Sequence, residues 1–347
     1  MKKRKKRMWW VLLWCIGIVA ALWAIFFLFS FRRFPVTTGI SFNQYHAVSL
    51  GLEWREVYTA MLDDLHPPIL RIAAMWSEVE IAKDQFHFEH VDWMMDEAAK
   101  RGTKVLLVVG QKAPRWPECH IPLWVKEEAN EKKREYLLRY VDRVVTRYRN
   151  HPALELWQVE NEPFIPFKFG ECEQFDKKAI YEELPLVKFL DPIHKIVVTD
   201  SGELSTWRKA TRVGDIFGST LYRVVRTPVI RSEYGVKWTY DWVPAGFFRL
   251  KSRFWGRGYQ EFFIIELQAE PWFVDSTPLD TPLDVQEDTM NPERLKNHIE
   301  YSTRTGASRV YLWGVEWWYF MKVKHNDARY WEIVKEVKEK KIETEIH

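Results

Sequence analysis

The sequence predicts a (β/α)8 barrel following one N-terminal apolar helix. Two patterns carry that expectation: short β-type runs alternate with amphipathic helical runs from Thr37 onward, and a 22-residue stretch without a charge, Met8–Phe29, precedes them. A third observation sets the scale. With 347 residues, 47% apolar and 29% charged, the chain is long enough for one large domain and too apolar to be disordered as a whole.

Six basic residues (Lys2, Lys3, Arg4, Lys5, Lys6 and Arg7) precede the apolar stretch, and two (Arg32 and Arg33) follow it. A helix of that length covers about 30 Å of hydrocarbon. The charge asymmetry places the N-terminus in the cytoplasm and everything from Phe34 onward outside, with Trp9, Trp10 and Phe34 suited to the interfaces. A cleaved signal peptide is the competing reading, with Val19-Ala20-Ala21 as its site; apolar sequence continuing through Leu22 to Phe29 favours a retained anchor. Either way the body is exported. We divide the chain into residues 1–33, a basic cytoplasmic tip and transmembrane signal-anchor, and residues 34–347, the barrel.

Strands are expected at Thr37–Phe42, Ile69–Ala73, Lys104–Val109, Leu154–Val159, Ile196–Thr199, Ile216–Ser219, Phe262–Glu266 and Arg309–Trp313. Helical stretches fall near Glu53–Asp64, His90–Arg101, Lys126–Arg149, Asp176–Leu190, Ser205–Arg212, Ala245–Trp255 and Pro292–Thr305, with Arg329–Lys341 after the last strand. Val91, Met94, Met95 and Ala98 form the stripe of a helix that covers a sheet, which is core and not a site. Asn291-Pro292 supplies a helix start, Asn as cap and Pro at the first helical position. The irregular piece Gln268–Met290, broken by Pro271, Pro278 and Pro282, reads as a loop over the barrel mouth. In such a barrel the active site is built at the C-terminal ends of the strands.

The net charge of +3 is a sum of opposites, because the tip is basic while the body holds 43 basic residues against 48 acidic ones. A negative body argues against nucleic acid as a partner. The 19 Trp and 16% aromatic content exceed what a core of this size needs and suggest a flat ligand that stacks. The body has two thiols, Cys119 and Cys172, which form one bridge at most and otherwise lie unpaired.

Two carboxylates stand at expected strand ends. Strand four runs out in Trp157-Gln158-Val159-Glu160-Asn161-Glu162-Pro163, where Pro163 stops the ladder and leaves Glu162 on the rim. Strand seven, Phe262-Phe263-Ile264-Ile265, is a continuous apolar run of a buried parallel strand, and Glu266 directly at its end has no packing reason to be there. Glu270, one step into the loop, is a rival for that second position.

These stretches resemble the retaining β-glycosidase barrels of clan A, the cellulase and β-galactosidase relatives. The resemblance rests on Trp157–Pro163, on Ile264-Ile265-Glu266, and on Trp76-Ser77-Glu78-Val79-Glu80 followed by Asp84-Gln85-Phe86-His87-Phe88 and Val91-Asp92. It implies an acid/base Glu162 after strand four and a nucleophilic Glu266 after strand seven. With two carboxyls about 5–5.5 Å apart, one attacks the anomeric carbon while the other protonates the leaving oxygen and then activates water.

The same resemblance implies that Asn161 holds the sugar 2-hydroxyl, that Arg71 sits by Glu266 and favours its charged form, that Tyr222 donates to Glu266, and that Trp313 walls the reacting sugar. Trp76, Trp116, Trp272, Trp317 and Trp318 are candidates to extend a stacking platform. Two positions depart from many cellulase-type members, which carry a His after strand three and a His two residues before the strand-six Tyr: this chain has Val109-Gly110-Gln111-Lys112 and Thr220-Leu221-Tyr222. Gln111 and Lys112 replace a donor to the sugar or sit on a solvated loop, the latter being the default. In a barrel Cys119 and Cys172 fall on adjacent catalytic-face loops, where a bridge would stiffen the rim.

The leading expectation is a membrane-anchored, extracytoplasmic retaining glycoside hydrolase acting on a β-linked oligosaccharide or polysaccharide. A non-catalytic carbohydrate-binding barrel and an envelope scaffold are the alternatives from other classes. The mechanism calls for no cofactor, and the scattered histidines, among them His46, show no metal-ligand spacing, so no metal is expected.

Overall fold

The computed structural model describes residues 2–166, 170–173, 175–229, 232–256, 261–274 and 276–345. Eight parallel strands close into a barrel: β1 (Thr37–Ser41), β2 (Ile69–Ala73), β3 (Lys104–Val109), β4 (Leu154–Val159), β5 (Lys195–Asp200), β6 (Ile216–Leu221), β7 (Glu261–Gln268) and β8 (Arg309–Trp313). Each strand pairs with its sequence neighbours, and β8 closes on β1 with Thr37 opposite Arg309 and Ser41 opposite Trp313. This is the predicted (β/α)8 architecture, with strands at the predicted places.

Alternation along the strands sorts the core into two layers. Ile69, Ala73, Leu106, Val108, Leu156, Val197, Phe263, Ile265 and Tyr311 form one buried cluster inside the barrel. Their neighbours Leu70, Ile72, Leu107, Trp157, Val198 and Ile264 belong to the larger cluster between sheet and helices. Arg71 follows the inward phase of Ile69 and Ala73, which carries a buried guanidinium into the barrel.

The helical layer differs from expectation in several places. Lys126–Arg149 is split into Leu123–Lys126 and Asn130–Tyr148, and Asp176–Leu190 becomes helical only at Ile180. Ser205–Arg212 contributes a single 3-10 turn, Ala210–Arg212. Additional elements are the short helices Gln44–Ser49 and Trp76–Val79, antiparallel pairs at Glu80–Ala82/Gln85–Phe86 and Val224–Val229/Ser232–Thr239, and a helix, Val315–Lys324, inserted after β8. The loop after β7 contains a short helix, Leu283–Thr289.

Lys2–Leu28 is one continuous helix whose apolar part, Arg7–Leu28, is long and apolar enough to cross a bilayer and is not buried against the barrel. Only its last turns touch the body, against helix Ala245–Trp255.

Candidate active site

A β-bulge decides where the strand-seven carboxylate points. In β7 Ile264 pairs with Ser219 of β6 while Glu266 pairs with the very next residue, Thr220, so Ile265 is extra; the register against β8 slips at the same place. Simple alternation with the inward Phe263 and Ile265 would send Glu266 outward. The bulge turns it back into the mouth, a use bulges commonly have beside sites.

Glu266 is buried and both of its oxygens accept hydrogen bonds. Arg71 donates through Nη1 to Oε1 at 2.8 Å, and the Tyr222 hydroxyl donates to Oε2 at 2.9 Å. Arg71 spends its remaining donors on the same floor, Nε on Gln158 Oε1 and Nη2 on Asn161 Oδ1, each at 2.9 Å. Burial first, and then the charge of Glu266, keep the Tyr222 phenol protonated well above its ordinary range, so it remains a donor.

The two glutamates of the strand-four motif part company. Glu160 points away from the mouth and accepts the backbone N–H groups of Gln111 at 2.8 Å and Lys112 at 2.7 Å. Gly110, at φ +125°, leaves room for it: a Cβ there would lie 2.6 Å from the Glu160 carboxyl carbon. Glu162, at φ +46°, faces the other way, its N–H donating to Thr199 Oγ1 at 2.8 Å and its Oε1 accepting from Thr220 Oγ1 at 3.1 Å. Burial pushes the Glu162 carboxyl up to about 8; Lys112 opposes this, while Glu266, Glu118 and Asp200 add to it.

Several neighbours were not foreseen. Glu118 is buried between Asn161 Nδ2 at 3.4 Å and Lys112 Nζ at 3.7 Å, so Lys112 lies inside the protein and not on a solvated loop. Asn161 therefore has Arg71 on its oxygen and Glu118 on its nitrogen. The buried Gln111 Nε2 and Ser41 Oγ find no partner among the described residues. Ser41 lines a small cavity, about the size of one water, together with Asn43, Arg71, Arg115, Trp313 and Glu316.

Trp313 ends β8 at this cavity, yet its ring is not an open wall. The Arg115 guanidinium lies over it, 4.1 Å from the ring centroid, and is held by both oxygens of Glu270 and by Glu316 Oε2 at 3.1 Å. Glu270, the rival carboxylate, is thus committed to an ion pair: burial raises it, but Arg115 and His46 together bring it down to about 2. His46, Glu270 and Glu316 gather within 4.8 Å, a convergence the sequence spacing did not show, and Arg115 already supplies the cation between the two carboxylates.

The tryptophans divide sharply. Trp76 is not a platform residue: its indole is 1% exposed, stacks on Tyr140 and donates to Glu80 Oε2, because helix-covered barrel walls need bulk. Trp317 and Trp318 are equally buried, donating to Gln286 and to the Ala269 carbonyl. Trp272 is half-buried with its edge on Tyr222 at 5.1 Å, next to Glu266, and Trp116 stands exposed on the rim.

Cys119 and Cys172 are bridged, with their Cα atoms 5.2 Å apart, which joins the loops after β3 and β4. The bridge fastens the segment that carries Arg115 and Glu118. Replacing both cysteines by serine is expected to remove roughly 2–4 kcal/mol of stability. Equilibrium unfolding in urea reads it as a lower midpoint, and an unchanged midpoint would show that the loops are held by other contacts.

A family model described as "Glycosyl hydrolases family 2, TIM barrel domain" matches residues 88–271, more than half of the chain and a span that includes Glu162 and Glu266. The chain belongs to this family. Among characterised relatives of this family 2 barrel, the β-galactosidase Pbg of Clostridium perfringens is 30% identical over 104 residues, which cover 25% of the chain and 15% of that protein. Among solved structures it is similar to the β-galactosidase of the Antarctic haloarchaeon Halorubrum lacusprofundi, with a TM-score of 0.54 at 16% identity over 80% of this chain and 52% of that one. Xylanase 10B of Thermotoga petrophila gives a TM-score of 0.54 at 16% identity, covering 80% of this chain and 82% of the other. The structural likenesses are likenesses of fold. The chain spans a small part of Pbg and about half of the haloarchaeal enzyme.

Proposed function

We propose that the protein is a retaining β-glycosidase in which Glu162 is the acid/base and Glu266 the nucleophile, tethered to a membrane by its N-terminal helix. The observation that carries the reading is the asymmetry between two buried carboxyls at one mouth. Glu266 is braced from both sides by Arg71 and Tyr222, as an attacking oxygen must be, while burial keeps Glu162 protonated near neutral pH. In the first step Glu266 attacks the anomeric carbon, the glycosidic C–O bond breaks, and Glu162 gives its proton to the leaving oxygen. In the second, Glu162 takes a proton from water, whose oxygen displaces Glu266. The unpartnered Ser41 hydroxyl and Gln111 amide are candidate donors to the sugar, and Trp272 is the candidate stacking surface.

The test is a panel of activated aryl β-glycosides offered to the full chain, beside Glu162→Gln and Glu266→Gln. Turnover by the wild type that both variants lose supports the enzyme and names the sugar; saccharide binding without turnover supports a binding barrel instead.

The pH profile follows from the Glu162 environment. The first step needs its proton, so kcat/KM falls as pH rises through about 8. Lys112→Met removes a cation that lowers Glu162, which moves this alkaline limb to higher pH. A limb that moves the other way, or does not move, would remove Glu162 from the acid role.

A further inference from the structure

We propose that the catalytic mouth faces the bilayer and that the substrate is a glycan carried on a membrane lipid. The proposal rests on the glycosidase reading and on the N-terminal helix as a membrane span, and deepens both.

The direction in which that helix leaves the barrel follows from its contacts, taken in chain order. Phe34 lies at the N-terminal end of the strands, its N–H bonded to the Thr303 carbonyl a few residues before β8 begins. Above it, Arg249 lies over the rings of both Phe34 and Phe29. Higher still, the Gly246 N–H donates to Ser30 Oγ, and the backbones meet so closely that a Cβ on Gly246 would fall 2.0 Å from the Phe26 carbonyl oxygen. Last comes Trp23, whose indole donates to the Trp242 carbonyl. Trp242 belongs to the catalytic face: Tyr240, two residues earlier, bonds the carbonyl of Arg223, and Arg223 is bonded in turn by Gln268 at the end of β7. The helix therefore climbs the barrel wall from the foot of β1 to the active-site rim and continues past it.

From Trp23 to Arg7 the exposed helix extends about 24 Å further, whereas only about 8 Å separates Trp23 from the end of the apolar segment at Leu28. Trp242 is consequently within about 8 Å of the outer edge of the apolar segment. If that segment crosses the bilayer, Trp242 lies at or just inside the headgroup layer and the rim beside it meets the membrane.

The surface chemistry agrees. Leu204, Trp116, Trp238, Trp242 and Leu279, from segments that follow four of the strands, are exposed on the catalytic side. Among the described residues, the opposite side exposes Ile193 in the connection into β5, and Phe189 and Phe254 in the last turns of the helices that lead there, none of the three a tryptophan. Amphipathic indoles on one rim, at the depth where a membrane helix ends, suit the water–lipid interface. A mouth held there meets headgroup sugars at high local concentration and is turned away from soluble polymers.

The test uses the full chain with Cys15→Ser, reconstituted into phosphatidylcholine vesicles that contain a lipid with a headgroup-attached quencher. Leu204→Cys and Ile193→Cys, neither in the catalytic machinery, each carry a fluorophore. The label at 204 loses its fluorescence and the label at 193 keeps it; quenching of 193, or of neither, overturns the orientation. The second arm takes the sugar whose aryl β-glycoside is cleaved fastest and attaches it to a two-chain lipid. Reconstitution raises the rate on that lipid relative to the soluble aryl glycoside by roughly tenfold over detergent micelles. An unchanged ratio overturns the substrate class while leaving the glycosidase reading intact. Failure to cleave any aryl glycoside, with the labels as expected, removes the glycosidase reading and the substrate class with it but not the orientation.

Discussion

On the proposed mechanism, Glu266→Gly is expected to lower hydrolysis of the best aryl β-glycoside by about 10⁴–10⁶ in kcat, and azide is expected to restore turnover with a product of inverted configuration. The reasoning is stereochemical. Without the Glu266 carboxylate no glycosyl-enzyme forms, but the space it leaves admits a small anion that displaces the leaving group in one step, from the face Glu266 would have used. Glu162→Ala behaves differently. Glu266 still attacks, so a substrate with a very good leaving group still glycosylates the enzyme; azide then intercepts that intermediate, and two displacements give a product of retained configuration. The two azides, distinguished by proton NMR at the anomeric carbon, assign the roles separately. Exchanged configurations would exchange Glu162 and Glu266, and no rescue of either variant would dissolve the pair.

The strands that bring these carboxyls together were legible because a buried parallel strand must be a short apolar run, and Phe262–Ile265 or Lys104–Val109 have few other ways to be satisfied. What escaped has physical causes as well. The pair Val224–Val229/Ser232–Thr239 contains Pro228, which argues against a strand unless the strand lies at an edge, and this pair is a two-stranded sheet of its own, in which each strand is an edge. Ser205–Arg212 has the composition of a helix but little apolar stripe, and it collapses to one turn under Trp207.

The site was half visible. Glu162, Glu266, Arg71, Asn161 and Tyr222 lie together at one mouth, with their roles still proposals, and the bulge that aims Glu266 has no signature in Ile264-Ile265-Glu266 itself. Arg115, Glu270 and Glu316 are 155 and 201 residues apart along the chain and meet over Trp313 through closure of the barrel alone. The tryptophan excess misled for a simple reason. Composition counts side chains without saying which face they take, and Trp76, Trp157, Trp207, Trp317, Trp318 and Trp331 are all fully buried.

Arg71→Met costs both stability and activity, because one guanidinium serves three acceptors inside the barrel. Its loss leaves Glu266 Oε1, Asn161 Oδ1 and Gln158 Oε1 each short of a donor, with Glu266 6% exposed at its side chain. Breaking a buried pair by removing one partner typically destabilises by about 3–5 kcal/mol, since the remaining charge has no water to turn to. Activity is expected to fall further than stability predicts, by roughly 10²–10³ in kcat, because the oxygen proposed to attack also loses its positioning bond. Arg71→Lys separates the two effects. An ammonium supplies the charge but not the planar fork, so it reaches Glu266 or the amide pair and not both at once. Lysine that bonds Glu266 recovers activity while leaving the urea midpoint low; lysine that bonds Asn161 and Gln158 recovers the midpoint while leaving kcat low. A variant that keeps both at the wild-type level would show that the three contacts of Arg71 hold nothing the site needs.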